Sequence, residues 1–393
     1  MQTDPLRADA SVDLVTERSR AEATPIEASL GELYRRHASR LPAGTEWFDA
    51  HTHTGFNDPD GFKASADQIV AGLDTAGHAR ALVFSTQELV GYRAANDRVT
   101  AEARASNGRL LALCRLDPRD DPVGEALRCL EAGAVGFKLH PRAERFTMSE
   151  PAIEHVVALA HERRLPIVIH AGRGIPALGR DTVTLARRFP GARLILAHAG
   201  ISDLAWIWRE AQSCPNLFFD TAWWNVADLL ALFALVPPGH ILYASDMPYG
   251  HPLFNGLALL RCGQAVGLAP DVLGEMAGGQ LARLVDGGDP RDLGPAPGPP
   301  THPQPPAAPR VVQHLTGAIS RTMGGGDPTE PLALARLACD VPVDDPERPL
   351  LEVVAPMIAT AQEAVGDLPS SLRRVVGPAI SAALLAGTPT VEV

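Results

Sequence analysis

The sequence has few cysteines and no long apolar run. Five cysteines occur among 393 residues, and no two of them form a CxxC pair. This odd, scattered set argues against a disulfide-stapled secreted domain and predicts a cytoplasmic location. The longest apolar run, Leu229 to Val236, is far shorter than the ~20 residues that a membrane helix needs, so no membrane partner is expected.

Positive charge is also scarce. The chain has 35 Lys and Arg residues against 46 Asp and Glu residues, which gives a formal net charge of −11. An acidic surface repels nucleic-acid phosphates and anionic lipids, so neither is expected as the main partner. The N-terminal residues carry acidic side chains and no apolar segment, and no secretory signal is predicted. Composition and charge therefore predict a soluble, cytoplasmic protein.

Composition divides the chain into four segments. They are a polar leader (1–45), a region with a repeating pattern (46–285), a proline-rich linker (286–310) and a small all-helical tail (311–393). Nine prolines between Pro290 and Pro309 exclude regular hydrogen-bonded structure there. The tail helices carry apolar stripes that need a partner surface. We expect them to fold against the preceding segment, pair with a second copy in a homo-oligomer, or bind a partner protein.

The repeating region alternates short apolar runs with longer helical patterns. The predicted strands are 46–51, 79–85, 110–116, 134–140, 165–171, 192–199, 216–222 and 240–246. Eight strands, each followed by a helix, predict an α/β fold of the (β/α)8 TIM-barrel type. A doubly wound open sheet is the alternative, but no GxGxxG motif follows the first strand.

Metal-capable side chains fall where a barrel places its chemistry, at the carboxyl ends of strands. His51 and His53 end strand 1, His170 ends strand 5, His198 ends strand 6 and Asp246 ends strand 8. Residues at i and i+2 of a strand point the same way, and strand 8 is the neighbour of strand 1 in a closed barrel. Alone, each residue fits an ordinary strand cap.

Together these residues predict one mononuclear metal site. The ligands would be His51, His53, His170 and Asp246. Three imidazoles and a carboxylate suit Zn²⁺ best and also accept Mn²⁺, Fe²⁺ or Co²⁺.

Other polar residues near the strand ends are candidates for binding the substrate. Lys138 either holds an anionic substrate or pairs with a carboxylate, and as a further alternative it is carbamylated and bridges a second metal. His140 is a substrate contact or a strand cap. Arg173 would bind a carboxylate or lie solvated in its loop, and Trp223 would wall the pocket or pack at the barrel rim.

Five motifs resemble a known family. They are FDAHTHTG, VGFKLHP, IVIHAG, ILAHAG and YASDMPYG, and they are similar to the strand-end motifs of the amidohydrolase superfamily, in particular its amidohydrolase-related branch (family 2). The resemblance covers 46–285 and implies a TIM barrel with a divalent metal, usually zinc. It implies the same four ligands, with His198 as the unligated catalytic histidine. The HxH pair lies further into the chain than is usual in that family.

The predicted activity is metal-dependent hydrolysis of an amide, ester or lactone bond in a small substrate. A bound divalent ion lowers the pKa of water to about 7. Asp246 would accept the proton of that water, and His198 would stabilise the developing oxyanion. Two alternatives stay open. The same residues fit a metal-dependent non-oxidative decarboxylase of a small acidic substrate, and the barrel could instead be a non-catalytic binding module.

Overall fold

The fold is a parallel β-barrel surrounded by helices, with a helical tail. The computed structural model of the protein describes residues 25–172, 174–300, 306–367 and 372–393. The strands are β1 Phe48–Thr54, β2 Arg80–Ser85, β3 Leu110–Arg115, β4 Gly136–Leu139, β5 Pro166–Ile169, β6 Arg193–Leu196, β7 Leu217–Asp220 and β8 Ile241–Leu242. They form one eight-stranded sheet in sequence order, and all neighbouring pairs are parallel.

The segment that follows β8 closes the barrel against β1. Ala50 N donates to Tyr243 O at 2.9 Å, Asp246 N donates to His51 O at 2.9 Å, and His53 N donates to Met247 O at 2.7 Å. These hydrogen bonds bring Asp246 beside the two histidines of β1. The predicted TIM barrel is confirmed, and each predicted strand has its counterpart.

Helices connect the strands and form the tail. They are α1 Pro25–Ala38, α2 Ala66–Ala76, α3 Arg93–Ala105, α4 Pro122–Glu131, α5 Pro141–Glu144, α6 Pro151–Arg163, α7 Leu178–Arg188, α8 Leu204–Ala211, α9 Val226–Leu235, α10 Pro252–Ala265, α11 Pro270–Gly274, α12 Gln280–Val285, α13 Ala307–Met323, α14 Thr329–Ala338, α15 Arg348–Glu363 and α16 Leu372–Gly387. Local signals explain several starts. Ser65 and Gln68 form a capping box before α2, and α6 begins with a proline, whose missing N–H is not needed there.

A β-bulge in β1 aims both of its histidines into the barrel. The pairing of β1 with β2 shifts register between Asp49 and Thr52. Ala50 packs in the cluster of apolar side chains that fills the barrel, and the next side chain, His51, also points inward, since its Nε2 lies 3.3 Å from Lys138 Nζ on β4. Regular alternation would send these neighbours to opposite faces. The bulge therefore lets two consecutive residues of β1 face the inside of the barrel: Ala50 in the apolar layer and His51 in the polar layer.

The tail folds against the barrel, which is the first of the three arrangements expected. Arg261 of α10 is fully buried and donates to Thr388 Oγ1 at 2.8 Å and to the carbonyl oxygens of Thr388, Val391 and Glu392 at 2.7–3.0 Å. Helices α13 to α16 contact one another and α16 also contacts α9. Within the described ranges no helix is long and apolar enough to cross a membrane.

The last described residues of the predicted linker, 306–310, enter helix α13 at Ala307. Its other described part, residues 286–300, has no helix or strand. It is nevertheless held to the barrel, because Gln280 Nε2 donates to Arg291 O at 3.0 Å and Gly298 N donates to Ala234 O at 3.0 Å. The exact division into four segments stays a prediction. Residues 1–24, where no signal is predicted, lie outside the described residues.

A buried aromatic cluster includes His78. Its ring stacks on Trp47 with centroids 4.8 Å apart, and its Nε2 lies 3.0 Å from the hydroxyl of Tyr34. Only 2% of His78 is exposed. Burial, with a smaller effect of a charge on His251, lowers the pKa of His78 from 6.5 to about 3. The folded protein therefore holds this imidazole neutral.

His78 should make the fold acid-sensitive. The unfolded chain binds a proton at this residue near pH 6.5 and the folded chain only near pH 3, so the free energy of unfolding falls as the pH drops between these values, by up to ~1.4 kcal/mol per pH unit from this residue. We expect His78→Gln to flatten this slope in urea unfolding curves measured across the window. His155→Gln, at an exposed position, should keep the wild-type slope, and an unchanged slope in His78→Gln would contradict the assignment.

Candidate active site

Three of the predicted ligands converge at the carboxyl end of the barrel. His51 Nε2 lies 3.1 Å from His53 Nε2 and 3.2 Å from Asp246 Oδ1, and His53 Nε2 lies 3.1 Å from the same oxygen. His51 and His53 are buried, and the Asp246 side chain is 20% exposed. The three atoms therefore form a nearly equilateral triangle at the floor of the barrel mouth.

A second carboxylate sets the orientation of His51. Asp220 at the end of β7 is fully buried, and its Oδ2 accepts from His51 Nδ1 at 2.8 Å. Its Oδ1 accepts from the backbone N–H of His198 at 2.8 Å and of Ala222 at 3.0 Å. Because the ring proton of His51 is committed to Asp220, its Nε2 presents a lone pair to the triangle.

Electrostatics keep the histidines neutral. Burial, with the positive charge of Lys138 as the next cause, lowers the pKa of both His51 and His53 well below the usual value. Burial also raises the pKa of Asp246 to about 6, against the effect of His198 and Lys138. Neutral imidazoles beside a carboxylate are the protonation state in which these groups bind a cation.

His198 and His170 form a pair beside the triangle. His198 Nδ1 donates to Ala222 O at 2.8 Å, so Nε2 of the neutral ring is an acceptor for His170 Nδ1 at 3.0 Å. Asp246 Oδ2 lies 3.9 Å from His198 Nδ1. The structure thus places His170 next to the predicted catalytic histidine and outside the three-residue cluster. Its role as a fourth ligand stays a prediction.

Backbone strain occurs at two of these positions. His198 has a φ of 57° and Asp246 a φ of 58°, in the left-handed region that residues other than glycine seldom adopt. Each such residue costs roughly 1 kcal/mol or more and is held by its surroundings. Here the strained turns aim both side chains at the same small space.

Lys138 is the cation of the site. It is fully buried, with Nζ 3.3 Å from His51 Nε2 and 4.5 Å from the centroid of the Phe84 ring. Burial, then the charge of Arg115, lowers the pKa of Lys138 to about 7. Arg115 itself is paired with Glu144 at 2.8 Å.

The remaining predicted residues have mixed placements. His140 Nδ1 accepts from Ala143 N at 3.1 Å and so caps α5, and its ring also stacks on His170 with centroids 3.8 Å apart. Trp223 lies 6.1 Å from His198 between ring centroids and donates to Asp228 at 2.7 Å. Arg173 lies outside the described residues.

Two aromatic residues were missed by sequence reasoning. The Phe84 ring lies 4.5 Å from the His53 ring, and the Tyr249 ring lies 5.0 Å from it. Phe84 is at the carboxyl end of β2 and Tyr249 is in the motif after β8. Both lie near a strand end, where a barrel places its chemistry, so their positions in the sequence indicated residues of the site. They give the mouth an aromatic wall on the side of His53.

Comparison with protein families decides the affiliation. The family model described as amidohydrolase matches residues 48–254, which is more than half of the chain. The chain belongs to the amidohydrolase family. The predicted resemblance is confirmed, and the protein is an enzyme of this family. No curated protein sequence matches this amidohydrolase.

Several solved structures share the fold of this amidohydrolase. 2,6-Dihydroxybenzoate decarboxylase from Rhizobium is 14% identical, with a TM-score of 0.50 over 62% of this chain and 99% of its own. Dihydroxybenzoic acid decarboxylase from Polaromonas, solved with bound manganese and the inhibitor 2-nitroresorcinol, is 14% identical, with a TM-score of 0.50 over 62% of this chain and 97% of its own.

A third solved structure, an uncharacterized TIM-barrel protein from Bordetella bronchiseptica, is 14% identical, with a TM-score of 0.51 over 62% of this chain and 99% of its own. At these identities the likeness shows the fold.

The donor atoms of the amidohydrolase site fit a divalent metal. Ligand atoms in a tetrahedral zinc complex lie roughly 3.3 Å apart, given bond lengths near 2.0 Å. The three sides of the His51–His53–Asp246 triangle are 3.1–3.2 Å. His51 Nε2 offers a lone pair because its Nδ1 proton is held by Asp220, and the His53 tautomer protonated at Nδ1 would offer a second. The triangle can therefore serve as one face of a coordination sphere.

Asp220→Asn should weaken metal binding. The amide carries no charge to support the Nδ1 proton of His51, and loss of such a support typically costs about 10–100-fold in metal affinity. Competition with a chromogenic chelator would measure it, with the melting temperature confirming the fold. Asp228→Asn is the matched control, because Asp228 accepts from Trp223 and does not touch the triangle. Equal affinity in wild type and Asp220→Asn would contradict this role.

Proposed function

We propose that this amidohydrolase is a metal-dependent enzyme that removes CO2 from a small, acidic and preferably aromatic substrate without oxidation. The charge of the site carries the proposal. Two carboxylates, the buried Asp220 and the 20% exposed Asp246, lie around His51 together with one buried cation, Lys138. A divalent ion at the triangle would leave the site with one net positive charge, which a monoanionic substrate neutralises.

His51, His53 and Asp246 would hold the metal, with His170 as the predicted fourth ligand. Zn²⁺ fits these donors best, and Mn²⁺, Fe²⁺ or Co²⁺ are accepted by the same set. A bound divalent ion would polarise an oxygen of the substrate and lower the pKa of water. The manganese bound to the Polaromonas enzyme supports a divalent metal in a barrel of this fold.

The side chains around the triangle suit an aromatic acid. Lys138 Nζ can donate to a carboxylate or phenolate oxygen placed beside His51 Nε2, 3.3 Å away. Tyr249 lies near His53 and Trp223 near His198, at 5.0 and 6.1 Å between ring centroids. These rings would flank a planar substrate and keep water from it. The dihydroxybenzoates named for two structures of the same fold are substrates of this chemical class.

His198 would supply the proton that replaces the carboxylate. Its Nδ1 is fixed by the carbonyl of Ala222, while Nε2 and His170 Nδ1 lie 3.0 Å apart and can share a proton. A proton delivered from Nε2 to the substrate carbon would precede loss of CO2. Asp246 Oδ2, 3.9 Å from His198 Nδ1, stabilises the charged ring before the transfer.

Hydrolysis is the second candidate. It is favoured by the position of Asp246, whose two oxygens face the histidine pair on one side and His198 on the other. Asp246 would accept a proton from water, and His198 would orient a carbonyl. A cytoplasmic location and association through the tail helices stay predictions.

Product analysis of metal-reconstituted enzyme would test the reaction type. We expect metal-free protein to be inactive and protein loaded with Zn²⁺ or Mn²⁺ to release CO2 from 2,6-dihydroxybenzoate or a related acid. A parallel panel of lactones, esters and amides would report hydrolysis. Cleavage of the panel without CO2 release would favour the second candidate, and full activity of metal-free protein would reject both.

His198→Asn should separate chemistry from metal binding. The amide cannot transfer a proton, so kcat should fall about 10²–10⁴-fold. Because His198 is outside the triangle, metal content should remain that of the wild type. His155→Asn, at an exposed helix position, should retain kcat. A His198→Asn variant with wild-type kcat would remove this residue from the mechanism.

A further inference from the structure

The tail reaches the mouth of the barrel through one arginine. Arg373 on α16 donates from Nη2 to Pro248 O at 2.9 Å, in the loop that follows Asp246. Its guanidinium carbon also lies 4.8 Å from the centroid of the Phe62 ring, in the loop that follows β1. One side chain of the tail thus contacts both loops that border the metal-binding triangle.

These two loops meet in an aromatic pair over His53. The rings of Phe62 and Tyr249 lie 4.5 Å apart, and the Tyr249 ring lies 5.0 Å from the ring of His53 at an interplanar angle of 79°. The hydroxyl of Tyr249 donates to Asp58 Oδ1 at 2.8 Å. The wall on this side of the mouth is therefore built from residues of two separate loops.

The loop after β1 has its own internal frame. Gly55 and Ala64 exchange two backbone hydrogen bonds, at 2.9 and 3.0 Å, across its base. Asp58 accepts from the backbone N–H groups of Asp60 and Phe62 at 3.1 and 3.3 Å. These hydrogen bonds give the loop a fixed internal shape, and its contacts with Tyr249 and Arg373 hold it against the loop after β8.

The far end of α16 is fixed to the barrel. A Cβ on Gly387 would lie 2.7 Å from the side chain of Val226 on α9, so the two helices are in close contact there. The residues after the helix are held by buried Arg261 through four hydrogen bonds. Arg373 therefore extends to the loops from a helix with a fixed position.

We propose that Arg373 is a positioning residue that joins the loop after β1 to the loop after β8 and so makes the C-terminal helices part of the substrate pocket. It touches neither the triangle nor His198 in the contacts above. It acts through Phe62 and Pro248, which fix Tyr249 over His53. The consequence for substrate binding rests on the proposed function, whereas the effect on the two loops does not.

Hydrogen exchange in the full-length protein would test the loop contacts without a substrate. A lost hydrogen bond from a charged donor should open both loops about tenfold more often. Peptides spanning 55–64 and 247–251 should therefore exchange about that much faster in Arg373→Ala. Peptides from β1 and from α13 to α15 should keep wild-type rates, as should both loops in the control Arg348→Ala. The side chain of the control arginine donates to Glu352 and to the carbonyl oxygen of Val341, both in the tail.

Two milder variants would test the two contacts of Arg373 separately. Arg373→Lys keeps a donor for Pro248 O but lacks the planar group over Phe62, so the 55–64 peptide should be the more affected. Arg373→Met keeps apolar packing and loses the donor, so the 247–251 peptide should respond more. Unchanged exchange in both loops of Arg373→Ala would overturn the proposal, as would an equal rise throughout the barrel.

Kinetics would test the effect on the pocket. With a substrate from the product panel, Arg373→Ala should raise KM about tenfold and leave kcat within about twofold, since the wall binds the substrate and does not react. Metal content should stay constant. A fall in kcat at constant KM would overturn the positioning role. If no panel compound is turned over, the proposed function fails, and the exchange rates still decide whether Arg373 holds the loops.

Discussion

The hydrogen bonds of one buried carboxylate, Asp220, determine most of the site geometry. Its two oxygens bind the imidazole of His51 and the backbone N–H groups of His198 and Ala222. The Asp220 carboxylate thereby fixes the relative positions of groups from β1, from the turn after β6 and from the end of β7. Burying a carboxylate is unfavourable unless its oxygens are paired, and burial raises the pKa of Asp220 to about 7. These three partners and the nearby charge of Lys138 offset that cost.

The sequence predicted the barrel and the position of the site because both follow from periodicity. Alternating strands and helices specify which residues end each strand. Because the closed sheet makes β8 the neighbour of β1, the aspartate after β8 is expected beside the HxH pair of β1. The backbone irregularities were not predictable. The bulge in β1 and the positive φ at His198 and Asp246 depend on register between strands that are distant in sequence. Arg173 lies outside the described residues, so its predicted role is untested.

The position of the tail was also beyond sequence reasoning. Amphipathic helices indicate which face is buried but do not identify the surface that covers it. One residue did indicate that α10 contacts another part of the chain. Arg261 is the single charge in the otherwise apolar stretch of α10, and such a buried arginine requires several acceptors. The carbonyl oxygens at the C-terminus supply them, so the end of the chain completes the hydrogen bonding of a barrel helix.

The same donor set serves hydrolysis and decarboxylation, so the choice between them depends on water. Hydrolysis needs a water molecule next to the substrate, whereas loss of CO2 is favoured when the carboxylate is desolvated. Under the proposed function the aromatic walls would limit the access of water, and Tyr249 belongs to the wall that Arg373 contacts through two loops. Under the proposed function, reaction type is therefore determined jointly by the metal ligands of the barrel and by a contact from the C-terminal helices.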